Sequence, residues 1–298
     1  MRIAITGGTG FVGTALTELL INNGHEVVIL TRKKPLQKSD SRVEYIQWLS
    51  DTGHADLPVI DAIVNLAGAS INNRWTENYK QKIISSRVEA TKEVINLIEN
   101  SPVKPKVLIN ASAIGYYGTS TDRTFTEETD SAGDDFLASV VTRWEQEALK
   151  AEAYGVRVVC TRFGLILGKG EGALPKLVQP YKLYAGGPLG SGEQWYSWVH
   201  IDDVVGLIYF AILTNQLRGP VNAVAPTPVT MEDFGRALAK VLNRPHWLPT
   251  PAFILKLLLG EMSVLVLEGQ RVIPEKALKH NYKFKYADIN LALSNLLK

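Results

Sequence analysis

Cysteine is nearly missing from this sequence. The one residue of that type, Cys160, rules out an internal disulfide, and its place in the apolar run Val156 to Thr161 predicts a buried, inert thiol rather than a nucleophile. Such sparing use of cysteine fits a soluble, cytoplasmic protein. Histidine is scarce too. His25, His54, His200, His246 and His280 are scattered without metal-ligand spacing, so no metal site is expected. Charge of neither sign dominates: the formal net charge is +2, acidic and basic residues are mixed, and no basic block marks a nucleic-acid partner. Long apolar runs are missing as well. The most apolar stretch, Ala252 to Leu267, is broken by Lys256 and by Gly260-Glu261, which argues for a buried helix pair or hairpin and against a membrane span. The sequence enters an apolar strand at Arg2, which leaves no room for a signal peptide. It holds no internal repeat, low-complexity tract or flexible linker.

Against these absences stands one dense stretch, Thr6-Gly7-Gly8-Thr9-Gly10-Phe11-Val12-Gly13. The apolar run Ile3-Ala4-Ile5 precedes it and the amphipathic run Ala15, Leu16, Leu19, Leu20 follows, so it reads as strand, glycine turn and helix. Gly7 or Gly8 lets the chain turn where a Cβ would clash. Gly10 lets backbone approach a pyrophosphate, and Gly13 lets the helix pack close on the strand. The helix start then offers free N–H groups and a positive dipole end to phosphates. This context predicts a dinucleotide site.

The rest of the chain continues the alternation. Strands are expected at Arg2 to Thr6, Glu26 to Thr31, Val43 to Trp48, Asp61 to Leu66, Lys106 to Ala111 and Val156 to Arg162. Helices are expected at Phe11 to Asn23, Tyr79 to Glu99 and Asp134 to Tyr154. Strands alternating with helices imply parallel pairing and right-handed crossovers, hence an α/β, doubly wound sheet of Rossmann type. After Arg162 the pattern loosens into a glycine-rich segment from Gly164 to Gly192, which also holds Pro175, Pro180 and Pro188 and reads as the rim of a cleft. A helix at Asp202 to Leu213, a strand at Val221 to Val224 and a helix after Thr230 follow. The division expected is a nucleotide-binding domain over 1–165 that also receives elements from about 200–226, with a smaller, mostly helical substrate region over 166–298 packed on it. At 298 residues and 46% hydrophobic, the chain can bury a core of that size. Amphipathic helices such as Asp134 to Tyr154 can pair in a homodimer or be covered within the chain.

The end of the second strand discriminates between cofactors. An acid about 20 residues past the glycines would accept from the ribose 2′-hydroxyl of NAD. Here Thr31 lies 18 residues past Gly13 and leads into Arg32-Lys33-Lys34, with no acid at the strand end. Arg32 can grip a 2′-phosphate that a carboxylate would repel, so NADP(H) is the expected cofactor; a solvated basic turn is the plainer reading. Asn65-Leu66-Ala67-Gly68 ends the fourth strand with small residues that leave room for the adenosine half. Arg87 interrupts an apolar helix face, either toward the cleft or as an ordinary surface arginine.

The glycine turn, Asn65-Leu66-Ala67-Gly68, the segment Ser112-Ala113-Ile114-Gly115-Tyr116-Tyr117-Gly118 and the order of elements resemble the extended short-chain dehydrogenase/reductase family. Gly115-Tyr116-Tyr117-Gly118, Arg143-Trp144-Glu145, Trp198-Val199-His200-Ile201-Asp202-Asp203 and Gly269-Gln270-Arg271-Val272-Ile273-Pro274 resemble one atypical subgroup of it, the epimerase-family proteins also described as NADP-dependent oxidoreductases. The resemblance spans essentially the whole chain. It implies an NADP-dependent oxidoreductase or epimerase acting on a hydroxyl or carbonyl carbon, with a nucleotide sugar as one candidate substrate. The alternative is a non-catalytic NADP-binding sensor or structural protein.

One departure from the family matters. Its proton transfer rests on a tyrosine and a lysine four residues apart on the helix after strand five, and here that helix reads Phe136-Leu137-Ala138-Ser139-Val140-Val141-Thr142-Arg143-Trp144-Glu145, without tyrosine or lysine. Arg143 can hold a ribose or phosphate but is too basic to serve as that lysine does. Ser112 can stand for the family's serine, in an uncertain register. Tyr116 and Tyr117 are either proton donors or an aromatic wall. His200 either titrates near neutrality at the substrate side or braces the turn into the next helix. Arg162 either binds an anionic substrate or pairs with a carboxylate, and Trp195 belongs to an aromatic segment on the substrate side.

Overall fold

The computed structural model describes residues 1–32, 40–49 and 57–298. Seven strands form its central sheet: β1 (Arg2–Thr6), β2 (Glu26–Thr31), β3 (Val43–Gln47), β4 (Ala62–Asn65), β5 (Val107–Ala113), β6 (Arg157–Phe163) and β7 (Gly219–Ala223). Every neighbouring pair is parallel, in the order β3-β2-β1-β4-β5-β6-β7. β5 runs two residues past the sequence expectation, because Ser112 and Ala113 pair with Arg162 and Phe163. Ser112 therefore belongs to the strand and not to the turn after it.

Helices cover both faces. α1 (Phe11–Asn22) and α5 (Ile201–Leu213) close one face, where Leu16, Leu20, Val204 and Ile208 meet Ile3, Ile5, Val64 and Ile109. α2 (Glu77–Asn100) and the end of α3 (Phe136–Leu149) close the other, where Val94, Ile98 and Ala148 meet Ala4, Ile63, Leu108 and Val158. The alternation of inward residues on β1, Ile3 and Ile5 to one side and Ala4 to the other, is what a strand buried on both faces requires. Each such side chain contributes about 1.5–3 kcal/mol on burial. A third cluster gathers α4 (Leu174–Lys182), α6 (Met231–Leu242) and the helix Ile289–Leu297 around Trp198.

The glycine-rich segment from 164 to 192 also holds a helix, α4, with Pro175 in its first turn, where the missing N–H costs little. Two expectations need correction. The helix expected to reach Tyr154 ends as α-helix at Leu149 and continues as a 3-10 turn, Lys150–Tyr154. The stretch from 252 to 267 is helical, as α7 (Ala252–Leu259) and two short turns, but it is not buried. Phe253, Leu257 and Leu258 of α7 are 70%, 79% and 69% exposed. An almost wholly apolar helix carries no polar stripe to mark its outer face, so sequence pattern alone could not separate the inward side from the outward one.

Among the described residues no helix is long and apolar enough to cross a membrane, and no three His, Cys, Asp or Glu side chains gather as metal ligands. His54, Lys33 and Lys34 lie outside the described residues.

Candidate functional site

β1 and β4 are neighbours whose connections leave in opposite directions, so a crevice opens at their carboxyl ends. The glycine turn fills one wall of it. Gly7 has φ +66°, and a Cβ there would stand 2.8 Å from the Leu66 carbonyl oxygen. A Cβ on Gly13 would collide with the Gly7 carbonyl oxygen and come within 2.6 Å of the Gly8 Cα. Helix α1 thus touches the turn backbone to backbone. Its N-cap is Gly10, with no side-chain cap and no acid in the first turn, whereas Thr76, Asp135 and Thr230 cap α2, α3 and α6 through their side chains. The first intrahelical bond runs from the Thr14 N–H to the Gly10 carbonyl, so the N–H groups of Phe11, Val12 and Gly13 start the helix as uncapped donors at its positive end. Thr9 and Gly10 form the exposed tip, and the Phe11 ring tucks against Gly168 and Gly172, where side chains would have no room.

The loop after β4 is fastened to this turn. Thr6, Asn65 and Asn110 lie in one row across β1, β4 and β5. The Thr6 hydroxyl donates to Asn65 Oδ1 (2.6 Å) and accepts from the N–H groups of Leu66 and Ala67 (3.1 Å each). Asn65 Nδ2 donates to Asn110 Oδ1 (2.7 Å) and Thr91 Oγ1 (2.9 Å), and Trp144 Nε1 also donates to Thr91 Oγ1 (3.1 Å). Buried and joined, these groups fix the crevice floor. Sequence reasoning missed them, although two asparagines at matching positions of apolar strands were the available signal. Beside them Gly68 packs on the Arg87 side chain. The Arg87 guanidinium donates to the Ile83 carbonyl (3.0 Å) and lies 5.1 Å from the Trp144 ring. Burial pushes its pKa down to about 10, and among the described residues no carboxylate pairs with it. A desolvated cation without an anion, next to uncapped helix donors, is the charge pattern a pyrophosphate or ribose phosphate would complete.

The remaining cofactor-side expectations separate. Thr31 is half-buried at the end of β2, and Arg32, next in the chain, is exposed. Arg143 is exposed on the outer side of α3, whose inward positions are Val141, Trp144, Glu145 and Ala148. Of the segment Arg143-Trp144-Glu145, the two residues that turn inward are Trp144 and Glu145, and Arg143 stays on the outer side.

Glu145 organises the side of the crevice that holds Ser112, Tyr116 and Arg162. Its carboxylate takes Arg162 Nε (2.8 Å) and Nη2 (2.7 Å) in a bidentate pair and accepts from the Ser112 hydroxyl (2.5 Å). All three side chains are buried, and among the described residues Arg162 Nη1 has no partner. Of the two readings open for Arg162, pairing with a carboxylate is the one the geometry realises. Its guanidinium carbon lies 3.5 Å from the centroid of the Tyr116 ring. Tyr116 is half-buried, and among the described residues its hydroxyl has no partner. Tyr117 differs: it is 4% exposed, stacks on Phe125 and donates to Asn222 Oδ1 (2.8 Å). Burial pushes its phenol pKa up. Tyr117 is thus wall, and Ser112 is anchored to Glu145 instead of facing open space.

His200 braces the start of α5. It is 1% exposed, and its Nδ1 accepts from the Asp202 N–H (3.0 Å) while Nε2 meets Asn295 Oδ1 (3.1 Å). Tyr286 stacks on the ring at 3.9 Å. Both nitrogens are engaged, so of the two readings open for His200 the brace is the one the geometry realises. Burial holds its pKa below the ordinary value, against the raising pull of Asp202 and Asp203. The folded state therefore binds fewer protons than the unfolded chain below about pH 6.5, and stability falls as pH drops through that value. Thermal unfolding should come earlier at pH 5.5 than at pH 7.5, with a slope of at most about 1.4 kcal/mol per pH unit from this group. His200→Gln should flatten the dependence, and an unchanged slope in that variant would remove His200 as its source.

Trp195 is half-buried, with its Nε1 donating to the Thr121 carbonyl (2.7 Å) and Arg271 over its ring at 4.9 Å. A cavity of about 280 Å³ lies between the start of α3 and the segment that follows α7.

Comparison with known proteins agrees with this geometry. Residues 3–223 match the model of the NAD dependent epimerase/dehydratase family, and residues 250–296 match a domain of unknown function, DUF1731. The chain is 48% identical over 299 residues to the epimerase family protein YfhF of Bacillus subtilis, covering 100% of this chain and 98% of that protein. Among solved structures it resembles human epimerase family protein SDR39U1 (isoform 2) with NADPH, at 35% identity and TM-score 0.90 over 99% of both chains. It also resembles a nucleoside-diphosphate sugar epimerase from Corynebacterium glutamicum, at 34% identity and TM-score 0.79, over 100% of this chain and 58% of that one.

Proposed function

We propose that this chain, which belongs to the NAD-dependent epimerase/dehydratase family, is an NADP(H)-dependent oxidoreductase or epimerase that acts at a carbon bearing a hydroxyl or carbonyl oxygen, with Tyr116 as its proton donor. The observation that carries the cofactor reading is the uncapped start of α1, set against a glycine turn in which Gly7 and Gly13 leave no room for a side chain. Arg32 after β2, with no acid at the strand end, favours the phosphorylated form. The NADPH of the human relative supports the same choice. When bound, the cofactor supplies or takes up a hydride at the reacting carbon. The chain's own part is to hold the pyrophosphate at α1, to keep Arg87 beneath it and to present a phenol whose hydroxyl no other described residue engages. Arg162, whose guanidinium carbon lies 3.5 Å from the centroid of the Tyr116 ring, sets its pair with Glu145 against the face of that phenol.

A second reading, an NADP-binding sensor without turnover, draws on a specific observation: Ser112, Tyr117 and His200 are all engaged in structural bonds. One set of titrations and assays separates the two. Calorimetry with NADPH and NADH should give tighter binding of NADPH in the native chain, and Arg32→Ala should lower that preference by about tenfold or more. Tyr116→Phe should bind NADPH as the native chain does, yet lose roughly 100-fold or more in turnover of any substrate found with NADPH. Equal affinity for NADPH and NADH would remove the NADP assignment. Unchanged turnover in Tyr116→Phe would remove the proton donor.

A further inference from the structure

We infer that the cavity of about 280 Å³ beside this site takes a small uncharged compound, apolar in its body and bearing one carbonyl or hydroxyl oxygen, and not a nucleotide sugar. The inference rests on the NADP(H) reading above and adds a ligand class to it. Trp75, Phe136, Leu137, Val264 and Leu267 form the apolar wall. The Trp75 and Phe136 rings meet edge to face, with centroids 5.4 Å apart, and Trp75 is itself buried, its Nε1 donating to the Ile71 carbonyl (3.0 Å). That part of the wall is therefore preset. The cavity adjoins the turn that carries the free phenol, because the Leu137 side chain packs on Gly115, the residue before Tyr116; a Cβ on Gly115 would stand 3.2 Å from it.

Charge decides against a diphosphate. Asp135, Glu261 and Glu268 also line the cavity, and each is already held. Asp135 accepts from the Ala138 N–H (2.8 Å) as the cap of α3, Glu261 pairs with Lys80 (2.5 Å), and Glu268 accepts from the Thr119 hydroxyl (2.9 Å). Lys256 is exposed and is the one cation among the lining residues; no arginine is among them. A nucleoside diphosphate brings two negative charges toward Asp135 and Glu268, which no described cation pairs, while Glu261 is already offset by Lys80 and Lys256 is the one flexible lysine on the wall, so repulsion has more partners than attraction. An uncharged ligand escapes that conflict and gains from covering five apolar side chains. The Ser263 hydroxyl gives the wall one uncharged polar group to orient the ligand's oxygen. The volume falls just below the roughly 300–1,000 Å³ usual for ligand pockets, which suits only a compact compound.

The test uses the full chain saturated with NADP, whose binding is first verified by calorimetry on the same sample. Saturation-transfer NMR and calorimetry then follow acetophenone, 4-phenylbutan-2-one and UDP-glucose. The ketones should bind saturably, lose about tenfold or more in affinity in Leu267→Glu, and keep it in Leu267→Met. UDP-glucose should not bind. If Leu267→Glu fails to fold by circular dichroism, Val264→Glu takes its place. Saturable binding of UDP-glucose, or failure of both ketones to bind, overturns the inference while leaving the cofactor reading intact. Failure of the initial NADP titration counts against the cofactor reading instead.

Discussion

Gly13→Ala should abolish measurable NADPH binding, a loss of about 100-fold or more in affinity, equivalent to roughly 2.7 kcal/mol. The new methyl group would meet backbone: the Gly7 carbonyl oxygen and the Gly8 Cα. Backbone in a tight turn cannot swing aside as a flexible side chain can, so helix and turn must separate. The uncapped N–H groups of Phe11, Val12 and Gly13 then leave the position they share with the turn. Gly10→Ala provides the graded comparison. Its Cβ would stand 3.3 Å from the Gly7 carbonyl oxygen, a tight contact that a small shift relieves. That variant should fold with nearly native stability and still bind more weakly, since Gly10 is exposed at the tip where a phosphate would approach. Calorimetric titration together with urea unfolding distinguishes the two cases. Native NADPH affinity in Gly13→Ala would mean that the cofactor does not sit on this turn.

Glu145→Ala should destabilise the chain by about 3–5 kcal/mol. The substitution strands the Arg162 guanidinium in surroundings where its side chain is 4% exposed, and it takes the acceptor from the Ser112 hydroxyl. Against a total stability of about 5–15 kcal/mol such a loss is large. It should appear as a lower urea midpoint at unchanged slope. Joint replacement, Glu145→Met with Arg162→Met, should recover most of it, because two apolar chains of similar length need no pairing. If the double variant is as unstable as Glu145→Ala, the cost lies in lost packing and not in an uncompensated charge. The double variant also tests the site: with no cation beneath Tyr116, it should bind NADPH yet turn over poorly.

Local pattern carried the fold a long way. The strands of the central sheet follow from apolar runs punctuated by Gly and Pro, and the crevice from a glycine turn between strand and helix. What stayed hidden depends on residues far apart in sequence. Ser112 finds Glu145 33 positions on, Tyr117 finds Asn222 after 105, and His200 finds Asn295 after 95. No period or propensity reports such contacts, so a structural serine, tyrosine and histidine each looked like a catalytic one. Arg143 and Glu145 show the same limit at short range. Both are polar residues on a mixed helix, and only the packing of α3 on the sheet decides which of them turns inward.

The brace at α5 also sets an order of events during synthesis. Asp203 accepts from the N–H groups of Lys285 and Tyr286, 82 and 83 residues later, and His200 waits for Asn295. At roughly 5–20 residues per second, a ribosome leaves α5 without these partners for on the order of ten seconds. By then β7, which ends at Ala223, has long been made, so every strand of the sheet precedes the clasp that holds its neighbouring helix. For that interval a nascent chain carries, at the head of an apolar helix, a carboxylate served by water and an imidazole held only by its local bond from the Asp202 N–H. That helix is the surface a chaperone at the tunnel exit would meet.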